Sequence, residues 1–209
     1  IECELQDKEE ELQQRFFQML RMTCFVLFPL MMGLAALAEP IVRLLLTDKW
    51  IEAVPLIRIL CFAWIWWPAS NMSWQLLNAK HRSDYCLKAE IIKKVIAISI
   101  LVFSFFWGIE AICVGMLIYY VADVYVMTLF TKRVLPKVTF EGEMKALLPV
   151  LMRAMVMGVG VYWLGYIINS NIALIVIGIV MGAVFYVVIT LLTNSREAYY
   201  LVELIKMKR

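Results

Sequence analysis

The sequence predicts an all-α membrane protein with six transmembrane helices. Apolar stretches of about 19 to 24 residues alternate with short polar connectors, and a hydrocarbon core of about 30 Å needs about 20 helical residues to cross it. A backbone in lipid must satisfy its own hydrogen bonds, which favours helices over loops or open strands. The predicted spans are Phe16–Leu37, Val54–Leu77, Ala89–Trp107, Ile109–Thr131, Leu147–Ile168 and Ile172–Leu192.

The composition supports a membrane protein. Hydrophobic residues make up 63% of the chain, charged residues 18%, and the mean hydropathy is +0.80, whereas soluble domains carry about 25% charged residues. The spans use most of the 209 residues, which leaves no room for a soluble catalytic domain. A net charge of +3 is too small to indicate a nucleic-acid partner.

The segment before the first span, residues 1–15, is polar with an apolar stripe at Ile1, Leu5, Leu12 and Phe16. This spacing favours an amphipathic cytoplasmic helix that leads into the membrane; a frayed end left by truncation is the alternative. Residues 193–209 are predicted to form a cytoplasmic tail. The chain has no initiator Met, and we expect it to be a fragment.

The distribution of basic residues predicts the orientation. With the N-terminus in the cytoplasm, 17 of the 20 Lys and Arg residues lie on the cytoplasmic side or at nearby helix ends, and three, Arg43, Lys49 and Arg58, lie outside. This asymmetry follows the positive-inside rule. Both termini are therefore expected in the cytoplasm.

The sequence contains none of the motifs that are typical of enzymes or metal sites. The cysteines are odd in number, scattered and without a CxxC pair, and the single histidine, His81, lies in a basic connector. No phosphate loop, GxSxG or HExxH motif occurs. We predict no catalytic residues, no cofactor, no metal and no enzymatic activity.

The second span carries an unusual set of polar and aromatic residues. Pro68 removes a backbone hydrogen bond and predicts a kink, while Asn71 and Gln75 can satisfy the freed groups. Amides and indoles, Trp67 among them, also suit sugar hydroxyls and sugar faces. An interfacial aromatic belt with interhelical hydrogen bonds is the alternative, although Trp67 lies deep for a belt. Asn71 and Gln75 are candidate cavity residues.

Two arginines lie near opposite ends of the first two spans. Arg21 and Arg58 could contact anionic groups from either side of the membrane. Each also lies close enough to an interface to extend its guanidinium into the headgroup region. Both readings remain open at this point.

A buried ion pair is predicted between the third and fourth spans. Lys93 lies 15 residues before Gly108 and Asp123 lies 15 residues after it, so an antiparallel hairpin places them at one depth, about 22 Å below its outer end. Lys93 or Lys94 can pair with Asp123, and Glu90 is i,i+4 to Lys94. Three interpretations of these residues are open: a structural clamp, lysines that snorkel to the interface, and a gate that binds an anionic substrate.

The last span contains a GxxxG motif, Gly178 and Gly182. Small residues at this spacing allow close approach of helix backbones in lipid. Packing within one bundle is favoured over dimerisation because a polytopic chain supplies its own neighbouring helices.

Several connector motifs resemble those of one family. They are the outer connector Leu44–Trp50 (LLLTDKW) with Ala53–Leu56, Pro68 with Asn71 followed by Leu76–Ala79, and, most specifically, the cytoplasmic run Arg82-Ser83-Asp84 with Glu90–Lys94. The sequence resembles the oligosaccharide (O-antigen and capsule) flippase branch of the multidrug/oligosaccharidyl-lipid/polysaccharide exporter superfamily. It departs from that pattern at Ala79-Lys80-His81, where a glycine often precedes the Arg-Ser-Asp run.

The resemblance implies that the chain is the C-terminal six-helix bundle of a twelve-helix flippase and lacks the N-terminal half. It implies translocation of undecaprenyl-diphosphate-linked oligosaccharide for lipopolysaccharide or other surface polysaccharide synthesis. Arg21, Arg58, Asn71, Gln75 and Trp67 would line the cavity. Partners would be the lipid-linked oligosaccharide, membrane lipid, the missing half and a polysaccharide polymerase or glycosyltransferases. A cation-coupled multidrug antiporter of the same superfamily and a non-transporting scaffold of a polysaccharide synthase complex are the alternatives.

Overall fold

The structure is a computed structural model that describes residues 2–168 and 170–193, with side chains from residue 10 onward. Within these ranges the regular elements are all helical. The helices are α1 (Glu2–Ala36), α2 (Ala38–Leu45), a 3₁₀ turn (Asp48–Trp50), α3 (Ala53–Trp64), α4 (Trp67–Ala79), α5 (Ser83–Phe105), α6 (Ile109–Thr131), α7 (Phe140–Leu164) and α8 (Asn171–Leu192).

Five helical segments of the described chain are long and apolar enough to cross a membrane. They are Glu10–Ala36, Ala53–Ala79 (α3 with α4), Ile109–Thr131, Phe140–Leu164 and Asn171–Leu192. Helix α5 is long enough to cross a membrane but is not apolar enough. Four charged residues interrupt its apolar sequence: Lys88, Glu90, Lys93 and Lys94. The prediction of an all-α multi-pass membrane protein is confirmed, and α5 as a sixth span remains a prediction.

Large apolar side chains on the helix surfaces support membrane insertion. Near the C-terminal end of α5, Phe103 is 79% exposed, and Phe106 and Trp107, which follow the helix, are each 81% exposed. Burying apolar surface in hydrocarbon is favourable, whereas exposing this much to water is not. These surfaces are therefore suited to contact with lipid.

The helix that enters the first span is continuous. Helix α1 runs from Glu2 to Ala36 with Pro29 inside it, so the backbone of the predicted lead-in joins the span without a break. The chain then turns at Leu37 into the short amphipathic helix α2, which the sequence analysis did not predict. Most of the predicted tail, residues 194–209, lies outside the described residues.

The second span was predicted to kink at Pro68, and the structure has a break in the helix just before this residue. Helix α3 ends at Trp64 and α4 begins at Trp67, with the proline in the first turn of α4. A proline is tolerated there because the first-turn N–H groups have no intrahelical partner.

The chain divides into two compact units. The first unit comprises Ile1–Cys24 and Phe62–Leu148, and the second comprises Phe25–Cys61 and Pro149–Arg209. A core cluster of the first unit joins α4, α5 and α6 through Leu77, Cys86, Ala89, Val126, Met127 and Phe130.

The second unit is held together by apolar contacts and close glycine packing. One cluster contains Leu37, Val161 and Leu174, and another contains Ala38, Val42 and Val54. In α8, Gly178 and Gly182 pack against Val161 of α7: an added Cβ would lie 3.3 Å and 3.0 Å from its methyl carbons. The GxxxG motif therefore serves packing within the chain.

Candidate functional site

The polar residues of α1 and α4 in the first unit form the first group of candidate residues. Arg21 is half-buried on α1, and its Nε is buried without a hydrogen-bond partner among the described residues. On α4, Asn71 is half-buried and Gln75 is exposed, and the described chain offers neither amide a hydrogen bond. A polar group in a membrane helix is costly unless protein, water or ligand satisfies it.

Three aromatic rings from α3, α4 and α6 lie close together in the first unit. Trp67 is 44% exposed and lies 6.3 Å, centroid to centroid, from Trp64, whose ring lies 5.3 Å from that of Tyr120 on α6. Both tryptophans retain exposed ring surface. Trp67 provides a flat apolar face on the same helix that carries the two amides.

Arg58, the fifth cavity candidate, lies in the second unit and already has protein partners. Its Nε donates to the Ala35 carbonyl at 3.3 Å, and its guanidinium lies 4.0 Å from Glu39 and 5.3 Å from the centre of the Tyr162 ring. The carboxylate offsets part of its charge, so Arg58 is less available to an external anion than Arg21 is.

The α5–α6 hairpin places Lys93 between two carboxylates. Lys93 Nζ lies 2.8 Å from Asp123 Oδ1 and 2.6 Å from Glu90 Oε1, and the side chains of Lys93 and Asp123 are 9% and 7% exposed. The Trp74 ring centre lies 5.6 Å from the same ammonium. Lys94 is exposed and makes no ion pair within the described chain.

This arrangement selects among the pairings that the sequence left open. Lys93 faces Asp123, and Glu90 pairs with Lys93 instead of the i,i+4 partner Lys94. Two carboxylates around one ammonium neutralise it, so the cluster offers an anionic substrate no free positive charge. The geometry is that of a clamp between α5 and α6.

The Arg82-Ser83-Asp84 run joins α4 to α5. Arg82 Nε donates to Asp84 Oδ1 at 3.2 Å and its guanidinium lies 4.1 Å from the centre of the Tyr85 ring, while Ser83 is exposed at the start of α5. Desolvation acts to raise the pKa of Asp84, but the hydrogen bond and charge of Arg82 outweigh it and lower that pKa below its usual value. The two charged residues of the motif, Arg82 and Asp84, therefore pair with each other.

A buried acid that the sequence analysis missed lies at the start of α7. The predicted fifth span begins at Leu147, whereas α7 begins at Phe140, so Glu143 falls inside the helix with no exposed surface. It contacts the hydroxyls of Ser73 and Thr128 in the first unit. The only sequence signal is a carboxylate three residues before an apolar run, which is also typical of a helix N-terminus.

Comparison with known proteins finds similarity to polysaccharide biosynthesis proteins. The family described as "Polysaccharide biosynthesis protein" matches residues 1–55. An uncharacterized membrane protein in the cps region of Klebsiella pneumoniae is 32% identical over 54% of this chain. The chain is similar to membrane proteins of polysaccharide biosynthesis. This finding confirms the predicted resemblance at the level of a membrane protein related to polysaccharide biosynthesis.

Two further relatives agree. The lipopolysaccharide biosynthesis protein WzxC of Escherichia coli is 28% identical over 48% of this chain, and the teichuronic acid biosynthesis protein TuaB of Bacillus subtilis is 30% identical over 35%. The alignments span only 24%, 20% and 15% of the lengths of the Klebsiella, Escherichia and Bacillus proteins. No solved structure shows significant similarity to the chain.

Proposed function

We propose that this chain forms the C-terminal six-helix half of a flippase that moves undecaprenyl-diphosphate-linked oligosaccharide across the bacterial inner membrane. In this proposal α5 is the sixth span, both ends of the chain are cytoplasmic, and a second six-helix half completes the cavity. The protein acts by alternating access and catalyses no covalent step. A polysaccharide polymerase or glycosyltransferases would supply or consume its substrate.

One observation carries the proposal: Arg21, Asn71 and Gln75 lie on membrane helices with polar groups that the described residues leave unpaired. A lipid-linked oligosaccharide offers matching chemistry. Its diphosphate accepts charge-assisted hydrogen bonds from a guanidinium, its sugar hydroxyls pair with amides, and its sugar faces pack on indoles such as Trp67. The names of the relatives, which concern polysaccharide, lipopolysaccharide and teichuronic acid biosynthesis, support this substrate class.

The two arginines take different roles in the proposal. Arg21 has the unpaired nitrogen and is the better candidate for the diphosphate. Arg58 is held by Ala35, Glu39 and the Tyr162 ring. We therefore assign it a secondary role.

The test is flipping of a labelled lipid-linked oligosaccharide in vesicles that contain the full-length protein. We expect Arg21→Gln to abolish flipping and Arg21→Lys to retain part of it, because Lys supplies charge without the planar fork that matches phosphate oxygens. Arg58→Gln should reduce flipping less than Arg21→Gln does. Arg15→Gln is the matched control, since Arg15 lies on the same helix, is exposed and pairs with Glu11.

If Arg21→Gln and Arg58→Gln both flip the substrate as well as the unmodified protein does, at equal protein levels, then the two arginines only anchor their helices at the membrane interface. The Asn71 and Gln75 amides and the Trp67 indole would then become the substrate candidates. Absence of flipping by the unmodified protein would instead favour the scaffold of a synthase complex.

The cation-coupled antiporter remains the second candidate and needs an acid that is free to hold the ion. Asp123 does not meet this requirement, because Lys93 occupies it at 2.8 Å. Efflux of a cationic drug driven by a sodium or proton gradient, without oligosaccharide flipping, would favour this candidate.

A further inference from the structure

Three helices of the first unit close around one carboxyl group. Glu143 of α7 is 0% exposed, and its Oε2 lies 2.7 Å from Thr128 Oγ1 on α6. Ser73 Oγ on α4 donates to the other carboxyl oxygen at 3.4 Å. Both hydroxyl residues are buried, at 3% and 0% exposure.

Within the described chain, no cation balances this carboxyl group. From α4 and α6 the facing groups are the neutral hydroxyls, and from α1 the buried Cys24 thiol lies within electrostatic range. The charged neighbours on α7 itself, Glu141 and Lys145, are exposed and pair with each other at 2.6 Å. A buried charge without a partner is strongly unfavourable, because the cost of removing the ion from water is not offset.

The hydrogen count at Thr128 favours a protonated Glu143. Thr128 has one hydroxyl hydrogen, yet its Oγ1 lies 2.7 Å from both the Val124 carbonyl and Glu143 Oε2. An ionised Glu143 would leave one of these two short oxygen–oxygen contacts without a hydrogen. A protonated Glu143 satisfies both, since Thr128 donates to Val124 and Glu143 donates to Thr128.

We propose that Glu143 is a proton-binding site: its carboxyl group is protonated in this packed arrangement and donates a hydrogen bond to Thr128. Loss of the proton would leave a charge among neutral hydroxyls, so proton occupancy is linked to the close packing of α4, α6 and α7. The proposal goes beyond the flippase function and does not depend on it.

The test is carboxyl-carbon NMR of the detergent-purified full-length protein, with glutamate isotopically labelled at its side-chain carboxyl carbon. Protonated and ionised carboxyl groups resonate at separate positions. At neutral pH we expect one resonance at the protonated position that is lost in Glu143→Gln. Glu141→Gln, two residues away and exposed, should leave it unchanged and remove an ionised resonance instead.

The glutamine variant should also fold as well as the unmodified protein, because its amide N–H₂ can donate to Thr128 in place of the acid. If it does not fold, Thr128→Val serves in its place: removal of the acceptor hydroxyl should shift the protonated resonance. A Glu143 resonance at the ionised position at neutral pH overturns the proposal.

An ionised Glu143 resonance that moves when sodium replaces a bulky organic cation would also overturn the proposal and identify a sodium site. Thr131 is the reason to test sodium, because its hydroxyl oxygen could be a ligand. It lies one turn from Thr128 on α6, and the hydroxyl is buried and unpaired among the described residues.

Discussion

Thr47 has the most strained backbone conformation among the described residues. It has φ 71° and ψ 169° between α2 and the 3₁₀ turn, a region that is essentially restricted to glycine and costs about 1 to 3 kcal/mol for other residues. Its side chain makes no capping hydrogen bond, while its carbonyl accepts one from Trp50 N–H. The side chain therefore gains nothing that offsets the strain.

Thr47→Gly is expected to stabilise the protein by about 1 kcal/mol, since removing the Cβ relieves the strain and keeps the carbonyl bond. Thermal unfolding in detergent measures the change. Thr47→Ala is the control, because it removes the hydroxyl but keeps the Cβ and should bring no gain. Equal stability of the two variants would contradict the strain argument.

The Lys93 clamp gives a second prediction at the residue scale. Asp123→Asn is expected to destabilise the α5–α6 hairpin by about 1 kcal/mol, in the range found for polar contacts between membrane helices. The loss is modest because Glu90 still pairs with Lys93. Lys94→Gln, which removes an exposed charge at the next position, should cost nothing measurable.

Charge exchange distinguishes pairing from a general need for Asp123. The double variant Lys93→Asp with Asp123→Lys should recover only part of the lost stability, because the new aspartate lies beside Glu90. Adding Glu90→Gln should recover more. If folded-protein yield is the same for the exchange and for Asp123→Asn, the ion pair is not what stabilises the hairpin.

At the scale of the element, two glycines of α7 occupy different environments. An added Cβ at Gly158 would lie 3.2 Å from Met32 Cβ and 3.4 Å from its carbonyl oxygen, whereas at Gly160 the nearest atom is a Phe185 ring carbon at 3.7 Å. Gly158 therefore allows α7 to approach the α1 backbone closely within the second unit.

Gly160→Ala should stabilise the helix by up to about 1 kcal/mol through its higher helix propensity. Gly158→Ala should instead lower stability by about 1 kcal/mol, because the methyl group meets a backbone that cannot move aside easily. Parallel thermal unfolding of the two variants measures the difference. Stabilisation by both would mean that the α1–α7 contact can relax.

At the scale of the whole molecule, the topology prediction can be tested directly. Glu10 forms an ion pair with Lys137, so the start of the first span and the α6–α7 connector share a side, as the predicted orientation requires. With native cysteines replaced, cysteines at positions 49 and 171 should react with an impermeant reagent in intact cells. Cysteines at 82, 137 and 206 should react only after permeabilisation.

If a cysteine at position 82 were labelled from outside, the predicted orientation would be wrong.

The class of the protein and the approximate course of its helices could be predicted from the amino-acid sequence. Apolar length and helix breakers are local properties, and lipid makes them decisive because every backbone group in the bilayer must be paired within its own helix. The hairpin about Gly108 likewise followed from counting residues on either side of one turn. The family resemblance was readable because connector motifs are short and contiguous.

The contacts between polar groups, in contrast, depend on how the helices pack in three dimensions. Lys93 and Lys94 are adjacent in sequence, yet helix rotation against α6 buries one and exposes the other. Helix α7 begins seven residues before the predicted span, and the start of its apolar run gave no sign of this. Residues far apart in the chain supply the hydroxyl groups around Glu143, and no local pattern encodes such contacts.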